Sequence, residues 1–123
     1  MNTQNKTQAT LDLENAMAYC TGTEKYYRYL GFSKFLYTDG VKTFAEKAGA
    51  YWFIDFVFAE LLRMNNLFLA IHLDVKDEKA VVKFKDCDDV VKTKNIPFTD
   101  CPDGNWLFFF DKRANVLLWN GEY

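Results

Sequence analysis

The chain has 123 residues, with 15 Lys plus Arg against 17 Asp plus Glu and a single His, for a formal charge of −2; half of it is hydrophobic, and 12 Phe, 7 Tyr and 3 Trp make it ring-rich. That length suits one domain that buries roughly two-thirds of its unfolded surface. The composition excludes a disordered tail, a collagen-like chain and a disulfide scaffold, and the near-neutral balance excludes a general DNA-coating protein or a heavily acidic nucleic-acid mimic.

Residues 1–9 read as a flexible, solvated segment leading into one α+β domain over 10–123. The polar start lacks the apolar stretch of a signal peptide. The most apolar stretch, Ala48 to Leu62, is interrupted by Asp55 and Glu60 and is too short to span a bilayer. The expectation is a cytoplasmic protein that does not engage membranes. Thr10 to Tyr19 is weakly helical. Thr21-Gly22-Thr23-Glu24 has the form of a capping box, which predicts a short helix to Leu30 with Gly31 as its stop. Phe32 to Tyr37 reads as a short strand or an extended connector. Asp39 is the expected N-cap of one long central helix, Gly40 to Met64, with Val41, Phe44, Ala45, Ala48, Trp52, Phe56 and Ala59 spaced as one face.

Beyond Asn66 the period changes from 3.6 to 2. Leu67, Leu69, Ile71, Leu73 and Val75 alternate with Phe68, Ala70, His72, Asp74 and Lys76. Asp77-Glu78-Lys79 makes a turn, and Ala80, Val82 and Phe84 alternate with Val81, Lys83 and Lys85. A third strand carries Lys92 and Lys94 and ends at Pro97. Trp106 to Phe110 and Asn115 to Trp119 flank a tight connection. The predicted fold is N-terminal helices and a long central helix packed on an antiparallel meander of about five strands.

His72 is the single imidazole, on the strand face opposite Leu69, Ile71 and Leu73, with no thiol or orienting group beside it in sequence. Cys20, Cys87 and Cys101 lack the paired spacing of a zinc site and read as free thiols, a disulfide between two of them staying open. No metal, no cofactor and no enzymatic activity are expected. Asp55, inside an apolar helix, needs a partner or a proton: it reads as a structural bond, or else as a contact with another molecule or a catalytic acid. Lys83, Lys85, Lys92 and Lys94 are expected to project from one side of two neighbouring strands, joined by Lys76 and His72, as a basic face for phosphates or an acidic protein. The competing account is a solvated outer face. Of Phe108, Phe109 and Phe110, at least one must leave the core face, because successive strand residues point opposite ways. Such exposed rings favour protein partners or a homodimer, and core packing is the other account.

Tyr37-Thr38-Asp39-Gly40-Val41-Lys42, Ala45 to Trp52 with Asp55, Thr21 to Glu24 with Tyr26-Tyr27, and Pro97 to Asp100 together form a signature. It resembles an uncharacterised small bacterial and phage domain family carried on mobile elements. The resemblance brings no catalytic residues and implies only that setting. The expectation is a non-enzymatic binding protein that inhibits bacterial immunity in the anti-CRISPR manner, acting on an RNA-guided effector nuclease or its guide RNA. The alternatives are a nucleic-acid-binding regulator of the mobile element and a small homodimeric structural protein.

Overall fold

The structure is a computed structural model that describes residues 7–29 and 32–123. Among these residues three α-helices lie against a seven-stranded sheet, in the chain order α1(Gln8–Ala18), β1(Tyr26–Tyr29), β2(Phe32–Thr38), α2(Asp39–Ala48), α3(Tyr51–Leu61), β3(Phe68–Lys76), β4(Lys79–Asp86), β5(Asp89–Ile96), β6(Gly104–Asp111) and β7(Val116–Trp119). The α+β class is as expected. The sheet order is β1-β2-β7-β6-β3-β4-β5, and β2 runs parallel to β7. The sheet is therefore mixed, wider than the predicted five strands, and not a simple meander.

The flexible segment expected over 1–9 lies outside the described residues as far as residue 6. Thr7 caps α1 by accepting from the Thr10 amide, and Gln8 and Ala9 are already helical. The short helix expected after Glu24 is instead the strand β1, and the stop expected at Gly31 lies outside the described residues. The Thr23 hydroxyl, inside the segment read as a capping box, donates to Glu122, 99 residues downstream.

The long central helix is two helices. Gly49, at φ +63°, adopts the left-handed conformation that closes α2, and fully buried Ala50 precedes α3. The break re-aims the second half. Phe53, Ile54, Val57, Phe58 and Leu61 are buried, whereas Trp52 and Phe56 are half-buried and Ala59 is exposed. Thr38, not Asp39, is the N-cap, its hydroxyl accepting from the Val41 amide.

The core lies between the helices and one face of the sheet. Phe44 of α2 meets Trp106 at 5.6 Å and Phe108 at 5.0 Å between ring centres, and Phe58 of α3 meets Phe35 at 5.0 Å. Phe108 and Phe110 face this core and Phe109 faces away, as the alternation requires. No helix of the described residues is long and apolar enough to cross a membrane.

Candidate binding face

The helices cover one face of the sheet and leave the other open. Alternation along β3 sends Leu69, Ile71, Leu73 and Val75 inward and Phe68, Ala70, His72, Asp74 and Lys76 outward. Register then fixes their neighbours. His72 lies between Lys83 of β4 and Leu107 of β6, and Ala70 lies between Lys85 and Phe109. Directly paired residues share a face, so His72, Lys83 and Lys85 form one basic patch. Exposed Lys76 stands at the far end of that face, opposite Lys79.

Lys92 and Lys94 do not join that patch. They pair with Phe84 and Val82, which point into the core, while Lys83 pairs with Thr93. Both lysines therefore emerge on the helix side of the edge strand β5. The Lys92 Nζ stands 3.6 Å from Glu60 Oε1 on α3, which places it there independently. The four-lysine face is thus two pairs on opposite faces. Alternation gives each strand two sides but cannot say which side matches which, and an offset of one residue exchanges them.

Asp55 is exposed on the outer side of α3, so the buried carboxylate expected there is not found. Its charge is secondary to burial in raising the Tyr29 phenol above its ordinary value. The thiols are dispersed. Cys20 follows α1, Cys87 is exposed in the β4–β5 turn, and Cys101 is buried, which pushes its pKa up to about 12. Among the described residues no group of three or more His, Cys, Asp or Glu is placed to hold a metal ion. Burial, then the charge of Lys85, holds the His72 pKa below its ordinary 6.5, with a smaller push from Lys83 and an opposing one from Asp74.

Beside the basic patch stands a ring cluster. Phe68 and Phe109 stack at 5.5 Å, and Tyr123 packs on both, at 5.3 and 4.8 Å. Two grooves flank this ridge. One, of about 750 Å³, runs from Phe68 and Phe109 across Ala70 to Lys85, with Asn66 and Asp86 at its end. The other, of about 390 Å³, is apolar and is lined by Tyr26, Leu36, Val116 and Leu118 as well as Phe68 and Tyr123. The outward position of Phe68 was readable from the β3 alternation. Nothing local marks Tyr123, which arrives from the far end of the chain.

The signature residues have a different job. Glu122, in the 3-10 turn Asn120–Glu122, accepts from the Gly40 amide at 3.0 Å, the Trp119 amide at 2.9 Å, the Thr23 hydroxyl at 3.0 Å and the Thr38 hydroxyl. Its carboxylate sits on the first turn of α2, where unpaired amides and the helix dipole favour a negative charge. A Cβ on Gly40 would lie 2.5 Å from Glu122 Oε1, which is why glycine stands there. Asp39 accepts from the Glu24 amide at 2.9 Å and the Lys25 amide at 3.2 Å, tying the loop before β1 to the same helix start. Thr-Asp-Gly is a structural clasp.

No curated protein and no solved structure is similar to the chain. Residues 11–123 match a family described as a Family of unknown function (DUF6876). That match spans nearly all of the fold, helices and sheet alike, and the chain belongs to this family.

Proposed function

We propose that the protein is a non-enzymatic binding protein whose contact surface is the open face of the sheet. The observation that carries this reading is the two-part surface on that face, rings beside cations, where a purely solvated face needs only polar groups. The finer proposal is inhibition of an RNA-guided effector nuclease in the cytoplasm, by contact with the nuclease or its guide RNA, in a phage or mobile-element setting. It rests on the resemblance of the signature. The contact residues are Lys83, Lys85 and His72 with the ring ridge, and Lys92 and Lys94 drop out of it.

The test is affinity capture from host cytosol with three baits: the native chain, K83E/K85E and K92E/K94E. The reading expects the first and third baits to retain the same partner and the second to lose it. A partner lost with K92E/K94E and kept with K83E/K85E would move the contact to the helix side and end the proposal.

A further inference from the structure

The larger groove has the composition of a nucleobase slot. One wall is the stacked pair Phe68 and Phe109, the floor is the small side chain of Ala70, and the opposite wall is Lys85. Phe109, Ala70 and Lys85 lie at one register on three successive strands, so ring and cation are two strand spacings apart, about 10 Å. The groove's volume, about 750 Å³, falls in the range of small-molecule sites. At its end Asn66 donates to Asp86 at 2.6 Å, a polar pair with further lone pairs for the amino and imino groups of a base edge. Beyond Lys85 the positive charge continues to Lys83, with the His72 imidazole beside it.

We infer that this face binds single-stranded nucleic acid, with a base stacked on the Phe68–Phe109–Tyr123 ridge and the adjoining phosphates on Lys85 and Lys83. The inference rests on the proposal that the open face is the contact surface, and it names the ligand class. Aromatic rings beside cations suit single strands because every unpaired base offers a π-face. A duplex hides those faces inside its stack and offers only backbone and groove edges. Carboxylates share this face: Asp111 is paired with Arg113 at 3.2 Å, whereas Asp74 stands beside His72 and Asp86 accepts from the neutral amide of Asn66, so the phosphates are assigned to Lys83 and Lys85 alone. Tyr123, 76% exposed, gives the ridge an open ring to stack on.

The experiment is fluorescence anisotropy of the purified chain with labelled 12-nucleotide single-stranded RNA, single-stranded DNA and the matching duplex, from 50 to 300 mM salt. Single strands should bind at least tenfold more tightly than duplex. F109L, which keeps apolar bulk but removes the ring, should weaken single-strand binding at least tenfold. K83E/K85E should weaken it and flatten the slope of log K against log salt by about 1.4, two contacts at about 0.7 each. K92E/K94E should stay within twofold of native, and circular dichroism of each variant separates lost binding from lost fold. Equal binding of duplex, an unaffected F109L, or no binding of any oligomer at 50 mM salt would overturn the inference. Failure here, with partner capture still sensitive to K83E/K85E, would leave the binding-protein reading standing and point to a protein surface as its ligand.

Discussion

Replacing Gly40 by alanine sets two rules against each other. In an ordinary helix Gly→Ala adds about 1 kcal/mol of stability. Here the new Cβ would lie 2.5 Å from Glu122 Oε1, 2.7 Å from Glu122 Cδ and 2.8 Å from Trp119 Cβ. The turn holding Glu122 must move, and the bonds from Gly40, Thr38, Thr23 and Trp119 lengthen together. Hydrogen bonds to a charged acceptor contribute about 1.5–3 kcal/mol each. Losing the equivalent of two, less the propensity gain, gives a net cost of about 2–5 kcal/mol. For a chain of this length the unfolding entropy is about 0.26 kcal/mol per kelvin, so Tm should fall by about 8–19 °C. E122A should fall similarly. The double variant G40A/E122A should cost clearly less than the two single costs added, because the clash is already gone; a coupling of about 1–2 kcal/mol is expected. Urea titration followed by circular dichroism measures all three. A G40A chain more stable than native, or strict additivity, would refute the clasp.

Three further outcomes follow from the same geometry. G49A meets no neighbouring atom but forces alanine to φ +63°, so it should cost about 1 kcal/mol in a urea titration without changing the spectrum. His72, held below 6.5 in the fold, takes its proton more readily when unfolded, so its contribution is intact above pH 6.5 and is lost as pH falls from there to its folded pKa. H72Q should flatten that part of the stability–pH curve, and an NMR titration of the native imidazole should show a midpoint under 6.5. Finally, iodoacetamide on the native chain should modify exposed Cys87 rapidly and leave buried Cys101 untouched until denaturant is added, as peptide mass spectrometry would read.

The parts of the fold legible in the sequence are those set by local pattern. The alternation of Leu69, Ile71, Leu73 and Val75 gives β3 and its buried face, and it places His72 outside. The turn at Asp77-Glu78 separates β3 from β4, both turn residues taking positive φ. What local pattern missed depends on residues far apart. The segment before β1 reads as a helix start because Thr21 and Glu24 have capping-box spacing, whereas the Thr23 hydroxyl donates to Glu122 and the Glu24 amide to Asp39. The parallel pairing of β2 with β7 joins Leu36 to Val116, across most of the chain, and no periodicity encodes it. The split of the central helix turns on one residue, Gly49, whose effect is to rotate the buried stripe from Trp52 and Phe56 to Phe53 and Val57.

The candidate face divides in the same way. Its cations were found by type, but their sides were not. Lys83 and Lys85 stand with His72, while Lys92 and Lys94 went to the other face through a pairing register that the sequence does not state. The ridge needed Tyr123 brought onto Phe68 and Phe109 by the last turn of the chain, a contact only the assembled sheet creates. The signature carried the fold, because its Thr38 and Gly40 seat Glu122, and gave no information about the contact surface.

Lysine reactivity tests the central claim most directly. Reductive methylation of the chain, free and in complex with its captured partner, reads every Nζ separately by mass spectrometry. The account predicts that Lys83 and Lys85 become protected in the complex while Lys92 and Lys94 react as they do in the free chain. Protection of Lys92 and Lys94 with Lys83 and Lys85 left reactive would contradict it.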